Sequence, residues 1–111
     1  MRQWLMLLCL TALIQPAHVQ RVIDGDTLVL FHVGTPPEER VRLLGVDTPE
    51  RGQPGANEAT AFTKSWLQRG AWTLTACQRD SFGRLLGTAT RDGSSLGTQL
   101  VEAGLAVERK R

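Results

Sequence analysis

The chain has 111 residues, a formal net charge of +2 and 41% hydrophobic residues, a length that holds one domain and excludes a multidomain enzyme. Its apolar residues are concentrated in residues 1–17, which leaves the remainder a small core of marginal stability for its size. The two cysteines (Cys9, Cys77) and two histidines (His18, His32) lack the spacing of a zinc site, and a net charge this close to zero does not by itself demand a polyanionic partner.

The first segment reads as an address. Arg2 supplies a positive start, residues 4–14 are apolar apart from Thr11, and Gln15-Pro16-Ala17 supplies a breaker and a small residue. This is the layout of a signal peptide over residues 1–17, which predicts a secreted or periplasmic protein. The apolar run is too short to span a bilayer, so no stable membrane anchor is expected. The competing reading makes residues 5–14 a buried first strand. Removal of a leader containing Cys9 would leave Cys77 without a cysteine to pair with, so no disulfide is expected.

Next come two runs of β-branched and aliphatic residues, 19–23 and 27–33, separated by Asp24-Gly25, a hairpin turn signal. Gly34-Thr35-Pro36-Pro37 marks a turn before a third strand over 41–46, so the three strands form a meander. From Asn57 the period changes: Ala59, Phe62, Thr63, Trp66 and Leu67 share one helical face, with Asn57 as N-cap and Gly70 after the last turn. Trp66 belongs to the core. Residues 72–76 alternate with period two, and after a turn at 80–83 the strand 84–90 completes a second hairpin. Ser95 caps a short helix over 96–103 with Leu100 and Val101 facing inward, and Gly104 closes it before a last strand, 105–107. Short strands with a helix inserted after the third describe a mainly β (α+β) domain, an OB-like barrel with an inserted helix and a second short helix, over residues 18–108. Residues 109–111 form a basic tail.

The charged residues cluster by position. Asp24 and Asp26 flank Gly25, while Asp47 and Glu50 follow the third strand, which Pro49 must end. A meander brings these two places together and concentrates oxygen ligands, which favour Ca²⁺, Mg²⁺ or Mn²⁺ over zinc. Asp24-Gly25 alone is also an ordinary turn, and Asp47-Thr48-Pro49-Glu50 alone an ordinary helix-start signal. A strand continuing regularly from Arg42 would put Asp47, five residues on, on the opposite face. Arg84 is placed to pair with Asp80 across the second turn.

Four segments occur in order: Val22-Ile23-Asp24-Gly25-Asp26-Thr27-Leu28, Val41-Arg42-Leu43-Leu44-Gly45-Val46-Asp47-Thr48-Pro49-Glu50, Asp80-Ser81-Phe82-Gly83-Arg84-Leu85 and Leu100-Val101-Glu102-Ala103-Gly104-Leu105-Ala106. Together they resemble the successive motifs of the staphylococcal nuclease (thermonuclease) family. The resemblance implies a five-stranded barrel and a monomeric, Ca²⁺-dependent endonuclease that hydrolyses phosphodiester bonds of DNA and RNA to 3′-phosphates. It also implies roles: Asp26 and Asp47 as metal ligands with the Thr48 carbonyl, Asp24 behind them, Glu50 as general base, and Arg42 and Arg84 on the reacting phosphate. Guanidinium forks suit that last task because each bonds two phosphate oxygens at once.

The chain also departs from the family pattern. It has no tyrosine; Phe82 and Lys110 stand where the family places substrate-side tyrosines, and Phe82 keeps only the ability to stack on a base. Relatives commonly continue beyond the Gly-Leu-Ala strand into a further strand and helix, so a chain ending at Arg111 is expected to have marginal stability. The competing function is a non-catalytic nucleic-acid-binding OB-fold domain or a truncated, weakly active remnant.

Overall fold

The computed structural model describes residues 10–14, 19–30 and 39–109. In chain order its elements are β1 (Leu10–Ile14), β2 (Val19–Asp24), β3 (Thr27–Leu30), β4 (Glu39–Leu43), β5 (Val46–Asp47), α1 (Ala56–Gln68), β6 (Trp72–Arg79), β7 (Leu85–Arg91), β8 (Ser94–Ser95), α2 (Leu96–Glu102) and β9 (Val107–Glu108). The described residues are mainly β with two helices, as the sequence predicts. The expected meander is present: β2, β3 and β4 pair antiparallel in succession. So is the second hairpin, β6 with β7. A parallel pairing of β4 with β7, Val41 opposite Leu85, joins the two units, so the sheet runs β1-β6-β7-β4-β3-β2. Among the described residues this path stays open instead of closing on itself. β5 and β9 form a separate antiparallel ladder.

β1 pairs with β6, Leu10 opposite Ala76, so part of the segment read as a leader forms an edge strand in this chain. Cys77, for which no disulfide was expected, is disulfide-bonded. The expectation assumed residues 1–17 removed, whereas here they are present. Among the described residues no helix is long and apolar enough to cross a membrane.

The core lies between the sheet and the helices. Alternation on β6 buries Trp72, Leu74 and Ala76, which meet Leu28 and Val41 of the meander, Trp66 and Leu67 of α1, and Leu96 and Leu100 of α2. Trp66 and Trp72 pack edge to face with ring centroids 6.1 Å apart, a favoured aromatic geometry. Helix α1 begins two residues earlier than expected. Its cap is Gly55, not Asn57, and no side chain caps it, because the turn in which the Ala56 amide donates to the Gln53 carbonyl at 3.1 Å starts the helix there. At the other end the Arg91 guanidinium donates to the carbonyls of Trp66 (2.7 Å) and Gly70 (2.9 Å) and lies 4.1 Å from the centre of the Trp66 ring. Ser95 caps α2 as expected, its hydroxyl accepting from the Thr98 amide at 3.0 Å.

Candidate active site

The sequence expectation that fails here concerns Arg42 and Asp47. A continuous strand would separate them, but β4 ends at Leu43 and Gly45 turns the chain with φ of 84°, a conformation that suits glycine. Parity is lost across this break. Arg42 Nη2 therefore donates to Asp47 Oδ1 and lies 3.5 Å from Asp26 Oδ2, while Nη1 donates to the carbonyls of Leu43 and Val46, each at 2.7 Å. The Arg42 side chain is only 8% exposed, and a charge so buried requires such partners.

The Asp24–Asp26 turn is gripped from several sides. Gly25 lies so close to α1 and Thr48 that an added Cβ would stand 2.8 Å from both Ala59 Cβ and Thr48 Cγ2. Its carbonyl accepts from the fully buried Thr63 hydroxyl at 2.7 Å, and the Leu43 amide donates to the Asp26 carbonyl at 2.8 Å. The Asp26 carboxylate accepts from the Thr27 hydroxyl at 3.0 Å and the Thr48 amide at 2.9 Å. Burial would raise its pKa, but hydrogen bonds from Asp24, Thr48 and Thr27 and the charge of Arg42 hold it below the usual carboxylate value. Burial pushes the Asp24 carboxyl the other way, up to about 6, reinforced by the neighbouring Asp26. One carboxyl is thus kept charged while its neighbour is made easier to protonate.

The turn from β6 to β7 is self-contained. Asp80 Oδ1 accepts from the amides of Phe82 and Arg84, each at 2.9 Å, and Oδ2 from Arg84 Nε at 2.7 Å. Although desolvation works to raise it, these bonds and the Arg84 charge keep the Asp80 carboxyl below its ordinary value. Among the described residues the Nη groups of Arg84 meet no acceptor. Its guanidinium lies 5.3 Å from the centre of the Phe82 ring, and Phe82 is 82% exposed.

These parts converge on one cleft of about 620 Å³ lined by Asp24, Asp26, Thr27, Arg42, Asp47, Thr48, Glu50, Gln53, Arg84 and Arg109. Every expected catalytic and metal-binding side chain lies there. Phe82 lies beside it, through Arg84, and Lys110 lies outside the described residues. Glu50 is exposed at the rim; its amide donates to Gln53 Oε1 at 3.2 Å, and its carbonyl accepts from the Gln53 amide at 2.9 Å, which fixes the backbone that carries it. Sequence reasoning did not single out Gln53, Thr27 or the part played by Thr63, and it read Arg109 only as part of a basic tail. For Thr63 a signal existed: a hydroxyl in the middle of an apolar helical face has to find a buried acceptor.

Among the described residues no group of three or more His, Cys, Asp or Glu could hold a metal ion. Two carboxylates do approach one point, since Asp26 and Asp47 both contact Arg42 Nη2. An all-oxygen set of two carboxylates, completed by water, fits a hard cation such as Ca²⁺ or Mg²⁺.

Residues 40–111 match the family model described as "Staphylococcal nuclease homologue". Among curated relatives, a "Thermonuclease" of Staphylococcus intermedius is 38% identical over 96 residues, covering 79% of this chain and 56% of its own. An "Uncharacterized endonuclease" of Escherichia coli is 36% identical over 89 residues, covering 79% and 57%. "Endonuclease YncB" of Bacillus subtilis (strain 168) is 34% identical over 97 residues, covering 79% and 45%. The chain thus spans about half the length of the curated relatives it matches.

Proposed function

Because the chain belongs to the staphylococcal nuclease family, we propose that it is a divalent-metal-dependent endonuclease that hydrolyses phosphodiester bonds of DNA and RNA and leaves 3′-phosphates. The observation that carries this reading is the convergence of Asp26, Arg42, Asp47, Glu50 and Arg84 on a single cleft. Asp26, Asp47 and the Thr48 carbonyl would hold a Ca²⁺ ion, which when bound adds positive charge beside the phosphate. Glu50, exposed and free to turn, accepts a proton from the attacking water. The water oxygen forms the new bond to phosphorus as the bond to the 5′ oxygen breaks, and that oxygen takes a proton from solvent. The free Nη groups of Arg84 bond the phosphate oxygens as charge builds on them. Arg42 reaches the same oxygens only by exchanging a carboxylate contact for a phosphate contact, since its Nη groups are committed to Asp47, Asp26 and two carbonyls.

The test is cleavage of plasmid DNA and of RNA in millimolar Ca²⁺, with and without chelator, beside a circular dichroism check of folding. The folded protein is expected to cut both and to stop when Ca²⁺ is removed. Glu50→Gln is expected to lower kcat by roughly two to four orders of magnitude with nucleic-acid binding preserved. A folded wild type that binds but cuts neither substrate would instead favour the non-catalytic binding domain.

Export rests on the charged start and apolar run in residues 1–17. Cleavage after Ala17 would also take β1 from the edge of the sheet. N-terminal sequencing of protein recovered from the periplasm or medium checks it; protein still starting at Met1 and confined to the cytoplasm would overturn it.

A further inference from the structure

Three guanidinium groups line the cleft, and they are not equally engaged. Arg42 is buried and held by four protein acceptors. Arg84 is held through Nε by Asp80. Arg109 is the third; the four sequence motifs assign it no task, and its place in a basic tail gives it only a general attraction for phosphate.

Its backbone position is fixed. β9 pairs with β5, Val107 opposite Asp47, and the Arg109 amide donates to the Gly45 carbonyl at 2.8 Å. The side chain is therefore delivered to the Asp47 side of the cleft, while Arg84 arrives from the β6–β7 turn. Its guanidinium is 56% exposed, and its ion pair with Asp47 Oδ1 is long, with Nη1 at 3.6 Å. Among the described residues it has no hydrogen-bond acceptor. Arg109 thus keeps its donors available in a cleft whose other Asp47 partner, Arg42, has spent its own.

We propose that Arg109 binds a second phosphate of the substrate strand, one next to the phosphodiester being cleaved, so that the cleft takes an oligonucleotide in preference to a substrate with a single phosphate. The inference rests on the nuclease reading for its substrate, but its binding arm does not require turnover. A planar fork with free N–H groups suits a phosphate of a passing strand, and Arg109 and Arg84 enter from separate elements, giving a polyanion two points of hold along the cleft.

The wild-type chain, Arg109→Ala and Arg109→Lys are compared on a dinucleoside monophosphate, with its one phosphodiester, and on a short single-stranded oligonucleotide. Arg109→Ala is expected to lower kcat/KM on the oligonucleotide roughly tenfold, mostly through KM, and to leave the dinucleotide nearly unchanged, with Arg109→Lys between. Equilibrium binding of a labelled oligonucleotide in chelator supplies a readout without turnover. There the slope of log K against log salt should fall by about 0.7, the loss of one single-strand phosphate contact. An equal loss on both substrates would place Arg109 at the reacting phosphate and overturn the proposal, as would an unchanged salt slope. Absence of cleavage by the wild type, with the slope difference intact, would sink the nuclease reading and leave the phosphate contact standing.

Discussion

The turn at residues 24–26 and the turn at residues 80–83 both deliver charged groups to the same cleft, but the first is held from outside and the second from within. Around Gly25 the contacts come from α1, from Thr48 and from β4. Around Asp80 they come from its own neighbours, the amides of Phe82 and Arg84 and the Arg84 side chain. A turn built by tertiary contacts ties the carboxylates to the packing of the domain, so an error there costs stability and site geometry together. A turn built locally can lose a side chain and leave the core intact. A change at the exposed Phe82 or at the free end of Arg84 therefore spares the packing of the domain, while a change at Asp26 does not.

The sharpest way to break this contrast is to disturb the buried turn. Gly25→Ala forces a methyl group to within 2.8 Å of Ala59 and Thr48, overpacking that is expected to cost about 1–3 kcal/mol and to lower cleavage by moving Asp26. Thr63→Val keeps the shape of the helix face but leaves the buried Gly25 carbonyl without its donor, at about 1–3 kcal/mol. Thr63→Ser keeps the hydroxyl and should cost less. Urea unfolding reads each value. If both Gly25→Ala and Thr63→Val unfold like the wild type, the turn is not held by α1.

The same contrast explains what the sequence made legible. Local features were readable: the Ser95 cap, the 80–83 turn with its Asp80–Arg84 pair, the Asp24-Gly25 hairpin and the one-sided α1 face all rest on residues close in sequence. The four ordered motifs carried the family, and through it the site residues that meet in the cleft. What stayed hidden depends on residues far apart or on a break in register. Gly45 interrupts the strand and brings Arg42 to Asp47, and the parallel contact of β4 with β7 joins two hairpins distant in the chain. Arg109 enters the cleft only because β9 lies along β5. Thr63 sits within an apolar pattern, and its partner is 38 residues away.

The smallest expected effect comes from the self-contained turn, and it is visible mainly through pH. Asp80 is held below its ordinary value of 3.8 by the amides and guanidinium it accepts from, against the opposing pull of desolvation. A carboxyl depressed in the folded state binds its proton more readily when unfolded. It therefore contributes stability that is fully present above about pH 4 and is lost as pH falls through the folded value. Asp80→Asn removes that contribution. Its melting temperature should lie slightly below that of the wild type at neutral pH, by less than Thr63→Val, and the two curves should converge as the pH falls through the folded value of Asp80. The variant should still cleave, with a lowered kcat/KM, because Arg84 loses the carboxylate that aims it while the core is untouched. A variant destabilised as much as Thr63→Val would show that the 80–83 turn, too, is held by the rest of the fold.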